Sequence, residues 1–307
     1  MIRDYRVFIG VPTFNREGEL LKCLESISLQ TYKNFKVFIS DNNSSDNSVK
    51  LLKKYCNTDD RFDFIVQSEN IGWYENFKYL LERGSGYEYF VWAASDDRWS
   101  ENYLDNAIKI LDKNVDVACV QGEEVVFFSI ETGNALSHIK VFDRLNKASR
   151  LETIACMFKR GYNLFIMGVF RTKILSEAFS NFPMVPSSDR YFLLQLPLKG
   201  WRIRGINNAT YYRGIHELSA ADRYRGDSYL EKVKISEKKI FDFSSWPAIG
   251  RMLSKSNPNF AIVKYIMIIF FVSRFKIGVL KVIKKMLKAT NLNAYNAIYK
   301  LIQKKRK

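Results

Sequence analysis

Four short apolar runs, at residues 6–12, 35–40, 62–67 and 89–94, alternate with segments of helical spacing. β-rich runs separated by amphipathic helices specify a mainly parallel sheet covered by helices. No other feature narrows the fold as far. The spacing predicts a first helix with Leu20, Leu21, Leu24 and Ile27 on one face. A second has Val49, Leu51, Leu52 and Tyr55 inward, with Ser45 or Asp46 as its N-cap. Asn70-Ile71-Gly72 turns into a third helix over 74–81, which Gly84-Ser85-Gly86 ends. A fourth helix at 103–111 and a strand at 115–121 complete the alternation.

The second half is less regular. Residues 125–130 and a segment beyond Thr132-Gly133-Asn134 pair as a hairpin. A helix is expected at 149–159 and a strand at 164–170. Another helix spans 189–198, with Pro197 disturbing its last turn. Strands follow at 201–206 and 209–212.

Three of the early runs end in polar clusters: residues 13–17, 41–48 and the pair Asp96-Asp97. In an open α/β sheet the carboxyl ends of the strands share one rim, where ligands bind. Neighbouring carboxylates repel, so a pair at a strand end calls for an explanation. Two readings stand. In one, Asp96 and Asp97 cap the helix that follows. In the other they share a hard cation such as Mg²⁺, which takes oxygen ligands and commonly bridges carboxylates to phosphates.

Composition removes several alternatives. Cys23, Cys56, Cys119 and Cys156 lack metal-type spacing and read as thiols of a reducing compartment. With His138 and His216 as the two histidines, a histidine-based zinc site is not expected. The N-terminus shows no signal-peptide pattern. The longest apolar stretch, 265–273, is too short to cross a bilayer, which takes about 20 residues.

The net charge of +16 is concentrated at the C-terminal end, where residues 243–307 hold no Asp or Glu. That asymmetry points to a polyanionic surface. Val279, Leu280, Val282, Ile283, Met286 and Leu287 recur at helical spacing, with Lys281, Lys284, Lys285 and Lys288 on another face. This describes a basic amphipathic helix in an anionic membrane interface. The competing reading packs it on the rest of the chain with its lysines solvated.

The segments Val11-Pro12-Thr13-Phe14-Asn15-Arg16, Leu24-Glu25-Ser26-Ile27-Ser28-Leu29-Gln30-Thr31-Tyr32, Ile39-Ser40-Asp41-Asn42-Asn43-Ser44-Ser45-Asp46 and Ser95-Asp96-Asp97 occur in that order. Together they resemble family 2 glycosyltransferases of the GT-A fold, of the bacterial surface-polysaccharide type. The likeness covers about the first 120 residues well and extends weakly to about residue 220. It implies a nucleotide-sugar-binding half at 1–122, an acceptor and catalytic-base half at 123–242, and a basic membrane-associating tail at 243–307.

Carried over by residue, the resemblance implies that Pro12, Thr13, Phe14, Asn15 and Glu17 line a nucleoside pocket. Asp41 and Asn42 hold base and ribose, with Asn42 where many relatives carry Asp. Asn70 and Arg213 join the donor site, and Asp96 faces the ribose or sugar. Asp97, within a DxD-type motif whose first position is Ser95, is the expected ligand of Mg²⁺ or Mn²⁺, with His216 as a further candidate. Asp189 matches the general base of inverting members, and Trp99 is the best-placed aromatic for an acceptor sugar.

The function implied is metal-dependent, inverting transfer from a nucleotide-sugar, UDP-linked in preference to GDP- or dTDP-linked. The acceptor is a hydroxyl of a growing surface glycan, lipid-linked or free. The enzyme sits in the cytoplasm, peripheral on the inner face of the membrane, with no nucleic-acid partner. A nucleotidyltransferase is the nearest rival, but residues 12–18 do not resemble its Gly-rich phosphate loop. A nucleic-acid binder using the basic tail leaves the strand-end carboxylates unexplained. A sugar-nucleotide-binding scaffold without activity is the third alternative.

Overall fold

The computed structural model describes residues 5–140, 146, 153, 162–180 and 188–215. The chain divides into two units, Met1–Met252 and Leu253–Lys307, and every described residue lies in the first. The helix expected at 149–159 (apart from Thr153), His216 and the basic tail at 243–307 lie outside the described residues.

The first half follows the alternation: β1 (Val7–Thr13), α1 (Glu17–Ser28), β2 (Phe35–Asp41), α2 (Ser48–Cys56), β3 (Phe62–Val66), α3 (Gly72–Arg83) and β4 (Tyr89–Trp92). β3, β2, β1 and β4 lie side by side and parallel. β1, β2 and β4 are mainly apolar on both faces, as a doubly covered parallel sheet requires, whereas β3 at the end of the strand order carries the exposed Asp63. Val7, Ile9, Val37, Ile39, Phe90 and Trp92 are fully buried. α1 buries Leu20, Cys23, Leu24 and Ile27. Leu21 remains 38% exposed, so the inward face is rotated from the one expected. Gly84 follows α3 because a Cβ there would meet ring carbons of Phe8 and Phe90 at 2.7 Å.

The rest of the described chain is β5 (Arg98–Trp99), α4 (Tyr103–Lys113), β6 (Val117–Ser129), β7 (Ala135–Lys140), a 3₁₀ turn (Tyr162–Met167), β8 (Val169–Arg171), α5 (Thr172–Phe179), α6 (Ser188–Leu198) and β9 (Arg202–Ile215). One sheet takes in all the strands in the order β3-β2-β1-β4-β8-β6-β9-β5, with β7 paired to β6. The α/β architecture read from the sequence is therefore the one formed.

Local departures have local causes. The strand expected at 164–170 is a 3₁₀ turn followed by three strand residues. The strands expected at 201–206 and 209–212 are one strand, continued through Asn208 at φ 58°. Asn is among the few residues that enter the left-handed region readily. α6 runs through Pro197, which removes one intrahelical N–H donor, and ends one residue later. Cys23 and Cys119 are buried free thiols, and burial pushes both well up from the ordinary thiol value. Among the described residues no helix is long and apolar enough to cross a membrane.

Candidate active site

The parallel register sets Thr13 beside Asp41 at the carboxyl ends of β1 and β2. Next to them, the Ala93 amide donates to the Gly10 carbonyl, carrying the chain from β4 toward the same rim. A cavity of about 580 Å³ opens there. Pro12, Thr13, Phe14, Asn15 and Arg16 form one wall, Asn42, Asn70, Trp73, Asn76 and Phe77 another, and Ala94, Ser95 and Asp96 a third. The three polar clusters singled out in the sequence are thus at one edge.

The loop after β2 is held by its own side chains. The Ser44 amide and hydroxyl donate to Asp41 Oδ1 and Oδ2 at 2.8 and 2.6 Å. The Ser44 hydroxyl in turn accepts from the Asn15 amide at 2.8 Å. Asn15 sits at φ 51°, and its Oδ1 accepts from the Ser45 amide at 2.9 Å. Asn42 Nδ2 donates to Asn70 Oδ1 at 2.8 Å, and Asn42 Oδ1 accepts from the Ile71 amide at 3.0 Å. A carboxylate at 42 has no donor for Asn70, which gives this amide a structural reason.

Glu17 and Asp41, both expected in the donor site, are not among the residues that line the cavity. Glu17 receives hydrogen bonds from the Asn47 amide at 3.2 Å and side chain at 2.9 Å, on the solvent side of the loop. Asp41 is fully buried beneath Ser44. Conversely, sequence reasoning missed Arg16 and Asn76. The Asn70-x-Gly72 turn was the available signal for Asn76, because it directs the first turns of α3 at the rim. Thr13 and Asn76 are each 3% exposed, and Thr13 Oγ1 and Asn76 Oδ1 find no hydrogen-bond partner among the described residues. Buried polar atoms are nearly always paired; these two line the cavity from β1 and from α3.

The carboxylate pair is not a helix cap. β5 intervenes, and α4 starts behind Asn102. Asp96 lines the cavity, with Arg16 Nε 3.9 Å from its Oδ2. Asp97 lies below it, 4% exposed. The Tyr211 hydroxyl donates to Asp97 Oδ2, and the Gly214 amide donates to Oδ1 at 2.9 Å. Burial, then the Asp96 charge, pushes Asp97 up to about 7, against the opposing Arg213 charge and these two hydrogen bonds. Tyr211 is pushed well up by its own burial and by Asp97. Among the described residues no group of three or more His, Cys, Asp or Glu is arranged to hold a metal by itself.

An ion shared with a ligand's phosphates needs fewer protein groups: Mg²⁺ is commonly held by one or two carboxylates plus phosphates. The Asp96–Asp97 pair fits that arrangement. Each Asp97 oxygen retains acceptor capacity beyond its single donor, and a cation relieves the repulsion that raises Asp97. Arg213, on β9, is close enough to act on Asp97 electrostatically. Asp189 occupies the first turn of α6. Trp99 is buried against Tyr103, with ring centroids 5.1 Å apart, and is a core residue. Trp73, 55% exposed, and Phe14, 41% exposed, are open aromatic surfaces at the cavity wall.

Comparison with known proteins agrees with this architecture. The family model described as "Glycosyl transferase family 2" matches residues 8–179. Glycosyltransferase GlyA of Streptococcus pneumoniae is 26% identical over 221 residues, 66% of this chain and 31% of that protein. The chain thus spans less than a third of that relative's length. The Escherichia coli enzyme named UDP-Glc:alpha-D-GlcNAc-diphosphoundecaprenol beta-1,3-glucosyltransferase WfgD is 27% identical over 205 residues, 66% of this chain and 74% of that one. Among solved structures, S. aureus TarS 1-349 in complex with UDP-GlcNAc superposes with a TM-score of 0.53 at 17% identity, covering 82% of this chain and 80% of that one. Mannosyltransferase PcManGT from Pyrobaculum calidifontis, in complex with GDP-Man and Mn²⁺, gives a TM-score of 0.51 at 14% identity over 95% of this chain and 82% of that one.

Proposed function

The chain belongs to glycosyl transferase family 2 and carries the GT-A fold, and from that premise we propose that it moves a sugar from a UDP-sugar to a hydroxyl of a growing surface glycan, with inversion. The observation that carries this reading is the 580 Å³ cavity where the ends of β1, β2 and β4 converge, with Asp96 on its wall. WfgD bears the name of a glucosyltransferase for a diphosphoundecaprenol-linked sugar, which supports a UDP-linked donor and a lipid-linked acceptor. The mannosyltransferase PcManGT was solved in complex with GDP-Man and Mn²⁺, which supports a divalent cation.

In this reading Thr13, Asn42, Asn70 and Asn76 surround the nucleoside, with Phe14 and Trp73 as apolar walls. Asp96 and Asp97 would hold Mg²⁺ or Mn²⁺, and Arg213 adds positive charge to the same side. When bound, the ion offsets the negative charge that builds on the leaving nucleoside diphosphate. Asp189 takes the proton from the acceptor hydroxyl as that oxygen bonds to the anomeric carbon. The bond from that carbon to the diphosphate oxygen breaks, and the electron pair leaves with UDP. The halves at 1–122 and 123–242 serve donor and acceptor, and the basic tail at 243–307 holds the enzyme at an anionic membrane beside a lipid-linked acceptor.

The test is Asp189→Asn. It is expected to lower turnover by about 10²–10⁴-fold, the usual contribution of a positioned base, with UDP binding unchanged. Full activity in that variant removes Asp189 from the mechanism.

A further inference from the structure

Asp97 is not free to choose its orientation. The Tyr211 hydroxyl and the Gly214 amide each engage a different oxygen of its carboxylate, and both come from β9. Two donors on two oxygens fix the carboxylate plane as well as its position.

The surrounding packing keeps β9 in place. Directly after Asp97, Arg98 pairs with Tyr212 and Trp99 with Tyr211. The Ser100 amide donates to the Thr210 carbonyl at 3.0 Å, and the Thr210 amide donates to the Ser100 hydroxyl at 3.0 Å. Tyr211 is fully buried against Tyr103, which stacks on Trp99 at an interplanar angle of 17°. A Cβ on residue 214 would collide with the Asp96 carbonyl and come within 2.8 Å of Ile130 Cδ1. Glycine is what lets the strand approach the carboxylate pair closely enough for its amide to reach Asp97.

We propose that Tyr211, assisted by the Gly214 amide, is a positioning residue that aims the Asp97 carboxylate at the catalytic divalent cation. The inference rests on the reading above that Asp97 holds that cation. Groups that hydrogen-bond to a metal's ligands orient those ligands, and losing one typically costs about 10- to 100-fold in metal affinity. Tyr211 has that relation to Asp97 while itself lying off the cavity wall. It also gives β9 a second role: the strand that carries Arg213 registers itself on the carboxylate pair through its neighbours at 211 and 214.

Electron paramagnetic resonance counts free Mn²⁺, and so gives Mn²⁺ affinity in the presence of UDP without any turnover. Tyr211→Phe keeps the ring and removes the hydroxyl. It is expected to weaken Mn²⁺ binding by about 10- to 100-fold and to leave metal-free UDP binding unchanged. Tyr212→Phe removes a hydroxyl from the adjacent strand position and is expected to bind Mn²⁺ as the wild type does. Equal loss in both variants overturns the assignment. Asp97→Asn separates the two levels: if it retains Mn²⁺ affinity, the cation reading itself fails. If it loses affinity while Tyr211→Phe does not, the positioning role fails alone. Should Tyr211→Phe not fold, amide exchange in the wild type decides. The Gly214 amide is expected to exchange more slowly with Mn²⁺ and UDP together than with UDP alone, and an unchanged rate contradicts the proposal.

Discussion

Ser44 links the two sides of the candidate donor pocket. Its hydroxyl donates to the buried Asp41 and accepts from the Asn15 amide, so one oxygen ties the loop after β2 to the loop after β1. Ser44→Ala leaves one Asp41 oxygen short of a donor in a fully buried position. The expected cost is about 1–3 kcal/mol of stability, read by urea denaturation, together with weaker UDP binding. A variant as stable as the wild type contradicts this account of the loop. The polar clusters at 13–17 and 41–48 were legible in the sequence because polar segments after β-runs have a fixed place in such a sheet, whereas the choice of Pro12, Thr13, Asn15 and Asn42 among them came from the family resemblance. The roles of Asp41 and Glu17 were less so, because side-chain partners one loop away leave no periodic trace. Tyr211 was invisible for the same reason: 114 residues separate it from Asp97.

At the scale of elements, periodicity found what is long and missed what is short. The helices α1 to α4 were readable because each repeats its apolar face over two or more turns. β5 has two residues, too few to show a period, and its absence is what let the Asp96-Asp97 pair pass for a helix cap. β8 has three and merged with the turn before it.

One inter-element tie gives a pH-dependent prediction. Arg6, at the start of β1, meets Glu88 before β4 at 2.7 Å and makes a two-pronged contact with Asp112 of α4 at 3.1 and 2.8 Å. Its guanidinium holds both carboxyls below the ordinary carboxylate range, through hydrogen bonds first. A lowered carboxylate contributes stability above its unfolded pKa and loses that contribution as pH falls through the folded value. Arg6→Met is therefore expected to melt below the wild type at pH 7, with the gap closing as pH falls below the ordinary carboxylate pKa of about 4. The side chains are partly exposed, so the gap is small. A gap that stays constant over that range excludes the ion cluster as its source.

At the scale of the molecule, one sheet joins the candidate donor cavity to the strands that follow, and β9 ties its far side back to the carboxylate pair. The charge asymmetry of the sequence belongs to the tail at 243–307, which lies outside the described residues. In the membrane reading the full chain co-sediments with anionic vesicles at low salt and is released as salt rises, because each basic residue near the surface contributes about 1 kcal/mol through a field that salt screens. Deleting 243–307 is expected to abolish that binding. Retention by the shortened chain assigns it to another surface.

The central claim is that the rim cavity binds a nucleotide-sugar through a cation and the carboxylate pair. Calorimetric titration of UDP-, GDP- and dTDP-sugars, in Mn²⁺ and after chelation, addresses it most directly. The account predicts saturable binding of a UDP-sugar that Mn²⁺ strengthens and that Asp96→Ala weakens to the level seen with chelator. Binding indifferent to both the chelator and that substitution, or no binding by any donor, contradicts it.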